Sequence, residues 1–426
     1  MRVMRWVTGV AVMTLALPAA AQFVQYTAPG SLGVREIPTK ERLEKAMEDA
    51  RWHLGGLRVA PWFGIRNTTY YDDLFPEVPG KQPDLEVTAG AGLAAFLPVG
   101  SRVIIAGNAL PEYQWWRTYS DRRTWNGRYG LGIAGYFNRL TVEVSGVSTD
   151  EAQYASVEDE IPVNVRERRG HARVELEVSY HVFFYASGTK ASWRYSTKGL
   201  DATQSLLPYL DRDETTTEGG LRWAPRRTVS VSFGAKRVED DFVHTTLDRS
   251  VRGNAPTVDI TLGSERTGLE ASAARFDLKP VGSSSFAPYR GTTGRVMVWR
   301  QLGRASTWTV YSGRDLGFTA ISGDSGYYVQ RRVGTSLAFP VGWRGTATAY
   351  VEKGTLDYSV GVSGAGARTD DLKAYGLNAR FDLAGSASFV LGVSRTRYDS
   401  PVPGLDRTYT RIQAGITFGS RAPTVW

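Results

Sequence analysis

From Leu57 almost to its end the sequence keeps a period of two. In "RTYTRIQAGITF", residues 407–418, one face of an extended chain carries Thr410, Ile412, Ala414, Ile416 and Phe418, and the other Arg411, Gln413, Gly415 and Thr417. Strand side chains alternate between faces in this way, whereas a helix would repeat every three or four residues. Comparable segments occupy 57–71, 84–97, 102–116, 127–137, 140–150, 171–182, 189–198, 216–224, 228–239, 251–261, 267–278, 289–302, 306–317, 326–339, 343–353, 372–383, 387–398 and 406–418, about 18 in all. Most exceed the ~5–6 residues usual for soluble strands and match the ~9–11 of a tilted strand crossing a bilayer.

The connections between these segments alternate in length. Long ones at 72–83, 117–126, 151–170, 199–215, 240–250, 279–288, 318–325, 354–371 and 399–405 interleave with short ones. The short ones are Pro98–Ser101, Asn138–Arg139, a stretch around Phe183–Gly188, Pro225–Arg227, a turn near Gly263, Gly303–Ala305, Pro340–Gly342 and Ala384–Ser386. Outer-membrane barrels have short periplasmic turns and longer outside loops, and this phase never slips. Tyr70, Tyr71, Tyr113, Trp115, Trp116, Tyr136, Phe137, Phe339, Trp343 and Tyr398 lie near segment ends, where interfacial girdles form.

Within hydrocarbon every backbone N–H and C=O must be paired internally, so a β structure there must close on itself. The expected fold is therefore all-β: a closed antiparallel transmembrane β-barrel of about 18 strands over 57–420. In 171–182, Val174, Leu176, Val178, Tyr180 and Val182 would face lipid, and Arg173, Glu175, Glu177, Ser179 and His181 the interior. A dry core could not take so many ions, but a water-filled lumen can. The same sorting places Glu143, Arg194, Arg222, Lys236, Gln330, Arg332, Arg380, Asp382, Arg411 and Gln413 inside. Arginine is in excess, which implies a polar channel with mild anion preference, and barrels of 16 to 18 strands are wide enough to hold water.

The ends of the chain read differently. Met1, Arg2 and Arg5, the apolar run Trp6–Leu17 and Ala19–Ala21 make a secretory signal peptide over 1–21, with cleavage expected after Ala21. The apolar run falls short of the ~20 residues of a membrane helix. Residues 22–56 are expected to form a periplasmic segment with one helix in "PTKERLEKAMEDARWHL", where Leu43, Ala46, Met47, Ala50 and Leu54 recur at helical steps and Thr39 caps the start. That helix either packs on the body of the barrel or serves as a plug.

The chain contains no cysteine, which excludes disulfides and thiolate metal sites in an exported protein. Its charge of +8 falls to +6 without Arg2 and Arg5 and is spread along the sequence, which argues against a nucleic-acid partner.

Candidate chemistry is sparse. "GLGIAG" matches G-x-G-x-x-G through Gly130, Gly132 and Gly135, but no helix follows it as a dinucleotide site requires. The histidines His53, His171, His181 and His244 stand beside no serine and acid constellation, so a barrel hydrolase is the least favoured reading; no catalytic, cofactor or metal residues are assigned. The acidic runs 157–160 and 211–214 fall in expected outside loops, as solvated charge or as divalent-cation ligands at the lipopolysaccharide surface. A structural or adhesive barrel acting through its loops is the alternative to a pore.

The stretches "YYVQRRVGTSLAFPVGWRGTATAYVEKG", "LKAYGLNARFDLAGSASFVLGVSRTRYDSPVPGLDRTYTRIQAGITFG" and "SSSFAPYRGTTGRVMVWRQLGRASTWTVYSGRDLGF" resemble an outer-membrane β-barrel porin family whose members lie in exopolysaccharide loci, best over residues 216 to 420. The resemblance implies an outer-membrane conduit in a Gram-negative bacterium that serves as exit pore for a secreted polysaccharide. Its implied partners are membrane lipid and lipopolysaccharide, the barrel assembly machinery and a periplasmic polysaccharide export complex. The tail "GSRAPTVW" departs from that pattern, leaving either Phe418 or Trp426 as the aromatic that the assembly machinery reads.

Overall fold

In a computed structural model, the structure describes residues 26–35, 37–74, 82–154, 156–157, 162–196, 207–226, 228–244, 248–264, 266–284, 287–319, 326–358, 368–383, 387–401, 406–419 and 426. The expected signal peptide lies outside them, as do residues 158–160 of the first acidic run. The strands, in chain order, are β1 (Trp52–Leu54), β2 (Leu57–Tyr71), β3 (Asp84–Val99), β4 (Val103–Trp116), β5 (Thr124–Tyr136), β6 (Leu140–Tyr154), β7 (Pro162–Ser179), β8 (Val182–Tyr195), β9 (Arg212–Arg226) and β10 (Val229–Phe242). They continue as β11 (Val251–Gly263), β12 (Thr267–Pro280), β13 (Tyr289–Leu302), β14 (Ser306–Phe318), β15 (Tyr327–Val341), β16 (Gly345–Asp357), β17 (Thr369–Asp382), β18 (Ala387–Asp399) and β19 (Arg407–Gly419). A single 3-10 turn at Ser31–Gly33 and one α-helix, α1 (Thr39–Glu48), precede them.

Each strand from β2 to β19 pairs antiparallel with its neighbours in sequence, and β19 pairs back onto β2 from Arg411 opposite Tyr71 to Gly419 opposite Trp62. Eighteen long strands therefore close without an edge, and β1 is a three-residue stub hairpinned onto β2. Closure matters because an open edge in lipid would leave its backbone groups unpaired. Short turns at the end where β2 begins include Gly100 and Gly342, both at φ 61, where a side chain would be strained. The opposite end carries the longer connections and is the outer end.

Outward rows form an apolar belt. On β19, Ile412, Ala414 and Ile416 face out, and Phe418 stacks on Phe63 of β2 at 5.0 Å between ring centroids. On β3 the outward row runs Leu85, Val87, Ala89, Ala91, Leu93, Ala95, Leu97 and Val99. No helix among the described residues is long and apolar enough to cross a membrane; the strands do so instead. A closed 18-strand barrel with such a belt is built for the outer membrane of a Gram-negative bacterium.

Boundaries depart from the sequence pattern mainly around β7 and β8. The expected long loop 151–170 is mostly strand, and the supposed turn near Phe183–Gly188 lies within β8. The true turn is Tyr180–His181, so His181 is not an inward strand residue. Helix α1 also ends earlier than expected, at Glu48, and its N-terminus follows Pro38 without a side-chain cap, so Thr39 is the first helical residue rather than the cap. The run 211–214 is not a loop: Arg212 and Glu214 belong to β9 and are buried on its inward row.

Candidate functional site

The inward rows carry ions arranged in linked groups. On one wall Arg222 bonds Glu175 through Nε at 3.2 Å, and Arg173 reaches the same carboxylate at 3.3 Å. Beside them Lys236 lies 3.7 Å from Glu218, which also accepts the Tyr185 hydroxyl at 3.2 Å. On the adjoining stretch of wall Arg66 is 2.6 Å from Glu112 and 3.9 Å from Glu151, and Arg128 also bonds Glu151. Pairing of this kind makes inward charge tolerable, because a lone ion there would keep its full desolvation cost.

The remaining expected lumen residues have these positions. Glu143 accepts the Tyr136 hydroxyl at 3.4 Å, and Glu177 accepts the backbone N–H of His181 at 3.3 Å. Arg380 pairs with Asp382 at 3.4 Å, Gln413 donates to Asn378 at 3.4 Å, and Gln330 is buried. The guanidinium of Arg411 lies over the ring of Tyr154 at 3.9 Å. All of these lie on inward rows.

Arg194 does not. It stands opposite Arg166 on the outward row of β8 and bonds Asp213 at 2.8 Å. The reason is height: near the outer end the outward row has risen above the acyl chains, so a charge there no longer marks the lumen.

The sequence pattern missed the segment just after the expected cleavage site. Residues 26–35 form a strap that descends inside the barrel from its outer half to its periplasmic mouth. Tyr26 packs on Tyr154 at 4.9 Å. The carbonyl of Thr27 accepts Arg332 Nη1 at 2.8 Å, and the N–H of Gly30 donates to Glu352 Oε2 at 3.1 Å. Arg332 and Glu352 pair with each other at 3.0 Å, their side chains 1% and 0% exposed. Lower down, Leu32 is buried among Met297, Trp299 and Tyr311, and Arg35 bonds Glu270 at 3.1 Å. Thus Arg332 serves as a clamp on the strap rather than a charge facing open water.

Helix α1 continues the strap across the periplasmic mouth. Leu43 is fully buried against inward Ala60, Ala94, Phe96, Ile104, Ala106 and Ala134. Trp426 joins this group, its indole Nε1 donating to Ala106 O at 2.8 Å beside the inward face of Gly132. Of the two candidate terminal aromatics, Phe418 therefore faces lipid and Trp426 lies inside. Gly130 and Gly132, from the apparent dinucleotide motif, sit within β5 and leave room for that indole.

The outer half is narrowed by apolar side chains. Tyr71 and Trp116 from β2 and β4 belong to one buried cluster with Phe242, Leu278 and Tyr289 from β10 to β13. The β14–β15 hairpin contributes to this. β13 pairs with β14 only up to Gly294 opposite Arg314, whereas β14 and β15 stay paired to Phe318 opposite Tyr327. Beyond that point Leu316, Phe318, Tyr327 and Val329, on what would be an outward row, are completely buried. The ring of Phe318 meets Phe242 edge-on at 4.7 Å, and Arg249 bonds the carbonyl of Thr319 at 2.6 Å. The tip has leaned inward.

Among the described residues no cluster of three or more His, Asp or Glu has metal-ligating geometry. No protein-family model and no curated protein matches the chain. In fold it is similar to solved structures from Pseudomonas aeruginosa. The outer membrane protein OpdK has a TM-score of 0.51 at 10% identity, covering 85% of this chain and 98% of its own. OccK5 (OpdH) has a TM-score of 0.50 at 11% identity, covering 85% and 98%. At such identity the likeness establishes the barrel fold alone.

Proposed function

We propose that this protein is an outer-membrane channel for polar and anionic solutes whose lumen is closed at rest by its own N-terminal strap, and that its cargo is an extended, hydrated polymer such as a secreted exopolysaccharide. One observation carries the reading: the interior accommodates a length of polypeptide, residues 26–35, which turns at Gly30 and coils once at Ser31–Gly33 on its way through much of the barrel's depth, held mainly by ions and hydrogen bonds. A space that receives one chain can receive another when the first leaves. Paired carboxylates and guanidiniums along the walls offer the hydrogen bonds that a hydroxyl-rich chain needs in place of water.

The mechanism is passive. Directionality would come from a periplasmic export complex at the mouth where α1 lies, and insertion from the barrel assembly machinery reading the outward Phe418. The test is planar-bilayer recording of the full mature chain against a form lacking residues 22–38, with polymers of graded size added to the bath. The strapless form should pass larger ionic steps and be blocked by hydrophilic polymers. Equal, negligible currents from both forms would instead favour a structural or adhesive barrel acting through its outer loops, a reading supported by the apolar cluster across the outer half.

A further inference from the structure

Above the apolar belt, the outward rows of β7 to β18 carry basic residues, while β2 to β5 stay apolar and aromatic at comparable height with Val87, Tyr113 and Trp125. Some of these cations have a carboxylate beside them, as Arg290 has Asp277 at 2.9 Å and Lys373 has Asp399 at 3.2 Å. Arg237 on β10 and Arg275 on β12 are exposed and have no ion pair or hydrogen bond among the described residues.

The register places them in a definite geometry. Thr217, Arg237, Asn254, Asp277 and Arg290 form one outward row across β9 to β13. Directly below, toward the periplasm, comes a row of small side chains, Ala186, Gly219, Ala235 and Pro256, which ends in Arg275. Below that stand Phe184, Leu221 and Phe233, which project fully. The small row is therefore a step in the wall, part of an open groove of about 790 Å³ with Arg237, Arg275 and Arg290 on its rim. Arg237 and Arg275 are two strands apart and one row apart in height, about 12 Å at the usual strand spacing and rise.

We propose that this groove is a binding site for a phosphorylated glycolipid of the outer leaflet, with lipid A as the occupant. Its phosphates would meet Arg237 and Arg275, with Arg290 alongside, and an acyl chain would fill the step over Ala186, Gly219 and Ala235. Three features fit this ligand class together. The cations are at headgroup height on the outer side, Arg237 and Arg275 carry no carboxylate partner among the described residues although Asp277 in the same groove holds Arg290, and the apolar recess begins immediately below them. An anionic headgroup satisfies the first requirement, and only a lipid satisfies the last.

The test uses the full mature chain in detergent, with thermal stabilisation and native mass spectrometry on adding lipid A, phosphatidylglycerol or inorganic phosphate. Lipid A should bind the wild type, and the double variant Arg237→Gln/Arg275→Gln should bind about thirtyfold more weakly, as expected for two surface cations each lost at the membrane. Ala235→Phe keeps every charge but fills the step, and it should also weaken lipid A binding. The proposal is overturned if the double variant binds lipid A as the wild type does, if Ala235→Phe has no effect, or if inorganic phosphate or phosphatidylglycerol binds the wild type equally well.

Discussion

Gly30 offers the sharpest handle on the strap. Its backbone is left-handed at φ 82, its N–H donates to Glu352 at 3.1 Å, and a Cβ added there would fall 2.7 Å from the Tyr350 ring. Proline fixes φ near −65° and has no N–H, so Gly30→Pro removes both features in one change. Losing a hydrogen bond to a charged group costs about 1.5–3 kcal/mol. Displacing the turn also withdraws Leu32 from its pocket, for about 1.5–3 kcal/mol more. Together these come to about 3–6 kcal/mol, and at tenfold per 1.4 kcal/mol the ratio of seated to unseated strap should fall by about two to four powers of ten.

The absence of cysteine makes this measurable without background. A Thr27→Cys probe sits where the native residue is 5% exposed, so a membrane-impermeant maleimide should reach it only when the strap is out. Labelling through local opening tracks the open population, and Gly30→Pro should therefore speed it at least about a hundredfold while raising single-channel current. Gly146→Ala, with nothing within 4 Å of its added Cβ, is the control and should change neither. Unchanged labelling in a barrel that still shows full β-sheet circular dichroism would refute the seated strap and its role in closure.

Other tests probe the two faces and the ends. Ile412 faces lipid and is 51% exposed to it, whereas its neighbour Gln413 points inward. Ile412→Arg should cost about 2–4 kcal/mol in refolding titrations into lipid vesicles, and Gln413→Arg should leave stability intact and move the reversal potential toward anions. Arg222→Gln leaves Glu175 with Arg173 alone, so the reversal potential in a salt gradient should move toward cations. Ending the chain after Gly419 removes Trp426 from the periplasmic mouth but keeps Phe418 on the outer wall; such a chain should still assemble in membranes, scored by protease protection.

The strand pattern was legible because a strand in lipid has little choice. A polar residue at Ile412 or Leu93 would enter hydrocarbon, so selection writes the alternation strongly in the belt. Above the belt that pressure stops. Arg194 and Arg166 are free to face outward there, and the alternation between residues 151 and 170 loses its apolar half, which made β7 look like loop. The bulge between Ile65 and Asn67 of β2 reverses the phase beyond it, so Thr69 and Tyr71 follow Arg66 on the inward face at the wrong parity.

The strap was illegible for a different reason. Residues 26–35 bury little apolar surface of their own beyond Leu32, and their partners Glu270, Arg332 and Glu352 lie hundreds of positions away, so no local periodicity marks them. Alternation alone treats Arg332 and Arg411 as equivalent inward arginines. Packing separates them. Arg411, only 9% exposed, stacks on the Tyr154 ring that Tyr26 of the strap also meets, while Arg332 is sealed in an ion pair with Glu352 and against the Thr27 carbonyl. Removing one partner of a buried pair leaves the other ion stranded at about 3–5 kcal/mol, whereas a charge in channel water is replaced at little cost. Inward charge in this barrel thus does two jobs. Where it meets water it sets what can pass, and where the strap covers it, it sets whether anything can.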